Sequence, residues 1–221
     1  MNDNYAIQVK DLEKFYGKVH ALRGVDLEVK SGEVYGFLGP NGAGKTTAIR
    51  CMLDMIRPQA GSISVLGLNP QEEPEAIKAR VGYLPGELHV DENMTARQVF
   101  RFFNRLRGNR SDWSFIEELS ERLKLELRTP IKNFSKGNKQ KVGVVQALMH
   151  KPELLLLDEP TGGLDPLMQQ EVLRMLAEAK ATGATVFFSS HIISEVQAVA
   201  DRVAIIREGK IVEVAVTDTL L

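Results

Sequence analysis

The sequence has 221 residues, of which 43% are hydrophobic, and its 28 basic and 29 acidic side chains leave a net charge of −1. That length can bury the core of one large domain, and the near-neutral charge gives no electrostatic reason to expect bulk nucleic-acid binding. No stretch approaches the ~18 apolar residues that span a bilayer, the amino-terminal residues lack a secretion signal, and a single cysteine, Cys51, excludes an internal disulfide framework and a thiol-ligated metal site. We therefore expect one cytoplasmic domain over residues 1–221, in which Cys51 is a buried thiol.

The first third of the chain is rich in short β patterns. Residues 7–9 and 25–29 alternate apolar and polar side chains, and residues 34–38 form an apolar run. Gly17 and Gly24 lie between these patterns and predict turns. This part of the chain is therefore predicted to supply strands that lead into a glycine-rich segment.

That segment, residues 39–47, reads Gly-Pro-Asn-Gly-Ala-Gly-Lys-Thr-Thr. A strand, a glycine-rich loop, a Lys-Thr pair and a helix form the pattern of a phosphate-binding loop, in which backbone N–H groups surround an anion at the positive end of the helix. Lys45 would bring a mobile cation to the β- and γ-phosphates, and the Thr46 hydroxyl a hard oxygen ligand to Mg²⁺. The loop predicts binding of a nucleoside triphosphate; the alternative is a glycine-rich turn that caps a helix. The candidate binding residues are Gly39, Asn41, Gly42, Ala43, Gly44, Lys45, Thr46 and Thr47.

A helix is predicted at 45–55 and a strand at 61–67, and the pattern of residues 94–127 then becomes helical. Apolar side chains recur there at helical spacing, at Val99, Phe103, Leu106, Phe115, Leu119 and Leu123. We expect this stretch to form a helical subdomain inserted at about 88–133.

Beyond the helical stretch, helices and strands alternate. The patterns predict helices at 135–149, 166–181 and 192–199, and strands at 154–158, 185–189, 202–207 and 210–213. Strands that alternate with helices indicate an α/β fold whose mostly parallel sheet is covered on both faces.

Two acidic residues, Asp158 and Glu159, end the strand predicted at 154–158. Ligands bind at the carboxyl ends of strands in open α/β sheets, and side chains alternate along a strand, so the two carboxylates cannot do the same job. We assign Asp158 to Mg²⁺ and Glu159 to polarising an attacking water. The alternative is that the pair only caps a helix or forms a solvated turn.

With these motifs, the whole chain resembles the ATP-binding subunit of an ATP-binding cassette (ABC) transporter. Residues 39–46 match the Walker A motif of that family, Asp158 and Glu159 the Walker B pair, and residues 163–165 the D-loop. The resemblance implies that Tyr16 stacks on adenine and that His191, a switch histidine, contacts the γ-phosphate. It implies a P-loop NTPase core with a mostly parallel sheet, an N-terminal antiparallel β subdomain and an inserted α-helical subdomain.

Residues 134–140, Phe-Ser-Lys-Gly-Asn-Lys-Gln, resemble the signature motif of the same family. Ser135 suits the N-cap of a helix, and with Gly137 it leaves a hydroxyl and a backbone N–H at a positive helix end, which attracts phosphate. The alternative is an ordinary capped surface helix. The resemblance implies that Ser135 and Gly137 meet the ATP held by a second copy, so that two subunits close around the nucleotide.

Two positions depart from the family pattern. Lys136 and Asn138 replace a glycine and a glutamine of the signature, and we expect the phosphate contact to survive because Ser135 and Gly137 remain. In the Q-loop, Gly86 stands where the family has glutamine, so either Glu87 substitutes for it or that contact is lost.

The resemblance implies an ATP hydrolase that drives a separate transmembrane permease from the cytoplasmic face of the membrane, as a peripheral subunit. The Q-loop and the signature look more like those of exporters of a drug, an antibiotic or a lipid. The alternative is a soluble ABC-type ATPase in translation or DNA repair; a phosphate-loop kinase or GTPase should lack the signature and the switch histidine.

No nucleic-acid partner is expected. Arg97, Arg101 and Arg105 recur among phenylalanines, but nearby acids offset them, which favours a solvated helix face or a contact with the membrane partner. His20, His89 and His150 lack metal-ligand spacing and are interpreted as surface or capping residues.

Overall fold

The computed structural model describes residues 4–109 and 111–217. Residues 1–3, on which part of the expectation about a secretion signal rests, lie outside this range. Within it the strands are β1 (Tyr5–Tyr16), β2 (Val19–Lys30), β3 (Val34–Leu38), β4 (Ala60–Val65), β5 (Val81–Leu84), β6 (Leu154–Asp158), β7 (Thr185–Ser190), β8 (Arg202–Arg207) and β9 (Lys210–Val216). The α-helices are α1 (Lys45–Met52), α2 (Pro74–Arg80), α3 (Ala96–Leu106), α4 (Trp113–Arg122), α5 (Lys136–Leu148), α6 (Pro166–Ala181) and α7 (Ile193–Val199).

A six-stranded sheet in the order β5-β6-β7-β3-β8-β9 forms the centre of the molecule. Its strands run parallel except β9, which pairs antiparallel with β8. Strands β1, β2 and β4 form a separate antiparallel sheet. The predicted fold class, an α/β fold with a mostly parallel sheet and an N-terminal antiparallel β subdomain, is confirmed.

The two faces of the central sheet are buried against different elements. All five residues of β6 are buried, and alternate leucines of this strand enter different hydrophobic clusters. Leu155 and Leu157 pack in the cluster that contains residues of α3 to α7, whereas Leu154 and Leu156 pack with α1 and the antiparallel sheet. A continuous run of leucines is what a strand covered on both faces requires.

Parallel strands bring their carboxyl ends to one edge of the sheet. The chain leaves β3 at Leu38, β6 at Asp158 and β7 at Ser190, and β6, β7 and β3 are successive neighbours in the sheet. The glycine-rich loop, the acidic pair and His191 therefore lie at the same edge, although they are far apart in sequence.

The helical stretch forms α3 and α4, both of which contact α5. Thr95 caps α3 in a reciprocal arrangement with Gln98, and Asp112 caps α4. Along the predicted apolar face Val99, Leu119 and Leu123 are buried, but Leu106 is 67% exposed. Leu106 is the last residue of α3, so it belongs to the helix as predicted although its side chain is exposed.

Several local predictions needed correction. Gly24 lies inside β2, with a φ of 67° at a shift in the register with β1, so it forms part of a bulge instead of a turn between strands. Helix α1 stops at Met52, short of the predicted end. The sequence analysis missed α2 and β5, which are only 7 and 4 residues long.

Cys51 is buried, as predicted, and burial raises the pKa of its thiol to about 11. Among the residues described, no helix is both long enough and apolar enough to cross a membrane.

Candidate nucleotide-binding site

The glycine-rich loop between β3 and α1 takes a conformation that only glycine allows at several positions. Gly42 and Gly44 have φ values of 79° and 111°. A Cβ atom at Gly39 would lie 2.4 Å from the carbonyl oxygen of Ile206, and one at Gly44 would lie 2.8 Å from that of Ala21. The backbone can therefore curl tightly in front of the amino terminus of α1, which is the shape that a phosphate group requires.

A cavity of about 460 Å³ opens in front of this loop. It collects most of the predicted binding residues: Tyr16, Asn41, Gly42, Gly44, Lys45, Thr46, Thr47 and Glu159. Gly39 and Ala43 belong to the loop but do not line the cavity. The sequence analysis missed six further lining residues, Val19, His20, Ala21, Arg23, Glu208 and Gly209. The sequence offered a signal for the first three alone, because they lie close to Tyr16 in the chain.

Lys45 is folded back onto the loop. Its ammonium group donates hydrogen bonds to the carbonyl oxygens of Gly39 at 2.7 Å and Pro40 at 3.1 Å. The same nitrogen lies 3.3 Å from Oε1 of Glu159, and the Lys45 side chain is only 5% exposed. A cation so placed between the loop and the acidic pair can bind a phosphate oxygen.

The carboxylate of Asp158 is held by two hydroxyl groups. Thr46 donates to its Oδ2 at 2.5 Å, and Ser189 donates to its Oδ1 at 2.7 Å. The Ser189 hydroxyl also accepts the backbone N–H of Glu159 at 2.9 Å. Ser189, which the sequence analysis did not single out, therefore fixes both acidic residues from the neighbouring strand.

Thr46 and Asp158 fit a magnesium ion. Both offer hard oxygen atoms, and Mg²⁺ characteristically takes one or two protein oxygens and fills its other positions with water and phosphate. No group of three or more His, Cys, Asp or Glu side chains suited to a metal exists among the described residues, so a site made by protein carboxylates and imidazoles alone is absent there.

The backbone of Glu159 leaves the strand conformation, with a φ of 50°. The side-chain amide of Gln140 in α5 donates to the Glu159 carbonyl oxygen at 2.9 Å. The Nδ1 atom of His191 lies 3.3 Å from Oε1 of Glu159. Lys45, Glu159 and His191 are thereby brought together around one carboxylate oxygen.

The signature residues lie outside this cavity. Ser135 caps α5 and accepts the backbone N–H of Asn138 at 3.2 Å, as its predicted N-cap role requires. A Cβ atom at Gly137 would lie 2.6 Å from the carbonyl oxygen of Gly163, so the signature packs directly on the D-loop. Neither Ser135 nor Gly137 lines the cavity at the phosphate loop.

Comparison with known proteins decides the family. Residues 22–162 match the ABC transporter family model. The chain belongs to the ABC transporter family.

Two relatives are ATP-binding proteins of this family. The bacitracin transport ATP-binding protein BcrA of Bacillus licheniformis is 40% identical over 210 residues, which cover 94% of this chain and 68% of that protein. The daunorubicin resistance ATP-binding protein DrrA3 of Streptomyces coeruleorubidus is 37% identical over 219 residues, or 97% and 69% of the two chains.

A solved structure of an ATP-binding subunit of an ABC transporter superposes with a TM-score of 0.86 at 31% identity, over 96% of this chain and 90% of that one. The present chain is accordingly the ATP-binding subunit of an ABC transporter and an ATP hydrolase.

The Q-loop of this ABC subunit places Gly86 beside the acidic pair. A Cβ atom at Gly86 would lie 3.1 Å from Oδ2 of Asp158, whereas Glu87 is exposed. Both line a second, larger cavity of about 1190 Å³ between the core and the helical stretch. The two alternatives for the Q-loop, that Glu87 replaces the family's glutamine or that its contact is lost, stay predictions.

The arginines of α3 in the ABC subunit make local contacts. The guanidinium carbons of Arg97 and Arg101 lie 5.2 and 5.5 Å from the centre of the Trp113 ring, and Arg97 pairs with Glu117 at 3.2 Å. They are therefore partly engaged within the helical stretch itself.

His150 departs from its interpretation as a surface residue. Its Nδ1 atom is buried without a hydrogen-bond partner, and its Nε2 lies 3.2 Å from the Val81 carbonyl oxygen. Burial, together with the nearby positive charge of Arg107, lowers the pKa of His150 to about 4.

Proposed function

We propose that the cavity at the phosphate loop binds ATP with Mg²⁺ and hydrolyses it with the residues brought together there. The observation that carries this proposal is the convergence of Lys45 and His191 on one oxygen of Glu159, each at 3.3 Å. Tyr16, which lines the cavity and is 46% exposed, would stack on the adenine. The loop residues Gly39, Asn41, Gly42, Ala43, Gly44, Lys45, Thr46 and Thr47 would hold the phosphates.

Each catalytic group has a separate role in this proposal. Glu159 accepts a hydrogen bond from the attacking water and polarises it, and His191 contacts the γ-phosphate beside it. Lys45 neutralises the negative charge of the phosphate groups, both in the ground state and as that charge shifts in the transition state. Thr46 and Asp158 would hold Mg²⁺, which would supply positive charge to the phosphate groups as a Lewis acid.

A second copy of the chain completes the site in this proposal. Ser135 and Gly137 present a hydroxyl and a backbone N–H at the positive end of α5, yet the cavity of their own chain does not include them. Two copies that face each other would each contribute this helix end to the ATP bound by the other. Binding of ATP would then close the dimer, and hydrolysis would open it.

A separate transmembrane permease is the proposed second partner, which places the dimer on the cytoplasmic face of the membrane as a peripheral subunit. The large cavity between the core and the helical stretch suits a short helix of that permease. Its rim carries Met55 and Leu106, which are 53% and 67% exposed, and its wall reaches Asp158 and Thr46. We propose that residues 88–133 move as a subdomain and transmit closure of the dimer to the permease.

We infer that the transporter exports a drug, an antibiotic or a lipid. The relatives named for bacitracin transport and daunorubicin resistance support export, and neither name supports a soluble role in translation or DNA repair.

Co-expression with a candidate transmembrane permease tests the proposal. Cells that carry both proteins should survive higher concentrations of an exported drug, and the Glu159→Gln variant should abolish this protection. Leu106→Asp should prevent co-purification of the two proteins while the basal ATPase activity remains. Val212→Asp, at a residue 59% exposed on β9, is the matched control and should bind the permease normally. Equal protection by the wild type and Glu159→Gln would contradict the transport role.

A further inference from the structure

Glu195 is a buried carboxylate that the proposed hydrolysis does not use. It lies in the first turn of α7, four residues after His191, and is 7% exposed. Burial of a carboxylate is costly unless its oxygens are hydrogen-bonded. Both are: Thr161 donates to Oε1 at 2.6 Å, and Ser190 donates to Oε2 at 2.5 Å.

The two hydroxyl groups belong to the two chain segments that carry the proposed catalytic pair. Thr161 lies two residues after Glu159, in the turn that leads to the D-loop, and Ser190 directly precedes His191. The Ser190 hydroxyl also accepts the backbone N–H of Ile192 at 2.9 Å, so it holds the chain on both sides of His191. One carboxylate therefore links the turn that follows β6 to the end of β7.

We propose that Glu195 is a positioning residue that holds Glu159 and His191 in register for hydrolysis. The inference rests on the proposed roles of those two residues. Nδ1 of His191 and Oε1 of Glu159 lie 3.3 Å apart, on the two loops that follow β7 and β6, and both side chains are partly exposed. A link between the loops keeps this distance short when ATP arrives, and it needs no contact with the nucleotide.

A carboxylate suits this link because it accepts two hydrogen bonds at once. In Glu195→Gln, one acceptor becomes an NH₂ donor of nearly the same size. Either Thr161 or Ser190 then loses the acceptor for its hydroxyl hydrogen and can only accept from the amide, so the link to one of the two segments is weakened. Packing of α7 is preserved, so the variant tests the hydrogen bonds and leaves the volume unchanged.

The first measurement is the kinetics of Glu195→Gln. We expect kcat to fall roughly tenfold, while the Kd for ATP stays within error of the wild type. Glu33→Gln is the matched control: Glu33 is 8% exposed and accepts hydrogen bonds from Lys30 and Arg202, at the amino-terminal end of β3 away from the cavity. The control should keep its kcat. The inference would be overturned by an unchanged kcat in Glu195→Gln, or by a loss of ATP affinity as large as the loss of kcat.

A double-mutant cycle separates positioning from a general structural role. His191→Ala should lower kcat by itself, and adding Glu195→Gln should then cost much less than it does in the wild type, because the histidine that it positions is gone. If the fold-decrease in kcat of the double variant equals the product of the two single fold-decreases, the inference is overturned. If His191→Ala and Glu159→Gln both hydrolyse ATP normally, the proposed site itself fails; if only Glu195→Gln is normal, the positioning role alone fails.

Discussion

The imidazole Nδ1 of His191 lies 3.3 Å from the carboxylate Oε1 of Glu159. Glu159 follows the end of β6, and His191 follows the end of β7, the next strand of the sheet. The contact between them is therefore a product of strand pairing, and it places a carboxylate and an imidazole beside Lys45 of the phosphate loop.

Glu159→Gln should slow ATP hydrolysis by at least ~10²-fold without weakening ATP binding, because only the group that polarises water is lost. A stable ATP-bound dimer should then appear in size-exclusion chromatography. Glu153→Gln, at an exposed position before β6, is the control and should turn over normally. Unchanged turnover in Glu159→Gln would remove Glu159 from this role.

Lys45→Ala should weaken ATP binding itself. The ammonium group lies against the loop carbonyl oxygens and would contact phosphate in the ground state as well as in the transition state. Calorimetric titration should show an increase of at least about tenfold in Kd, as loss of one charge-assisted hydrogen bond implies. Wild-type affinity in this variant would count against the loop as the phosphate site.

Ser135→Arg should abolish ATP-dependent dimerisation, because the larger side chain would fill the space for the partner's γ-phosphate. Binding of ATP to the monomer should persist, since Ser135 does not line the cavity of its own chain. Analytical ultracentrifugation with and without ATP measures both species. A Ser135→Arg protein that hydrolyses ATP normally would rule out the sandwich dimer.

Mixing Ser135→Arg with Lys45→Ala sharpens this test. In a mixed dimer one composite site combines both defects, while the other joins an intact loop to an intact signature. Partial ATPase activity should therefore return on mixing if one working site suffices. Sites built within single chains predict no rescue, and loss of dimerisation in Ser135→Arg alone remains the primary observable.

His150 should make the fold sensitive to acid. Its pKa is lowered to about 4 in the folded protein, mainly by burial and to a smaller extent by the positive charge of Arg107. An unfolded histidine titrates near 6.5. The unfolded chain thus binds more protons between these values, and stability is lost as the pH falls from about 6.5 toward 4.

Urea unfolding at pH 7 and pH 5 checks this prediction. Allowing for partial exposure, His150→Gln should reduce the difference in unfolding free energy between the two pH values by about 1 kcal/mol. His89→Gln, at an exposed position, should leave the difference unchanged. An equal pH dependence in the wild type and His150→Gln would contradict the assignment.

Local sequence patterns were sufficient for the elements whose cause is local. Gly42 and Gly44 have positive φ angles that other residues rarely adopt. The four leucines before Asp158 are typical of a strand that is buried on both faces. Helix α2 and strand β5, 7 and 4 residues long, span only about two periods of their patterns and gave no such signal.

Only the tertiary structure decided which residues meet. The order β6-β7-β3 brings Ser189 to Asp158, Thr46 to the same carboxylate, and Ser190 and Thr161 to Glu195. Periodicity shows that a strand is buried, but it does not encode which strand lies beside it. The sequence by itself therefore determined the loop, the acidic pair and the alternation of strands and helices, while the pairing of parallel strands determined the site, because such pairing joins segments that are distant in the chain.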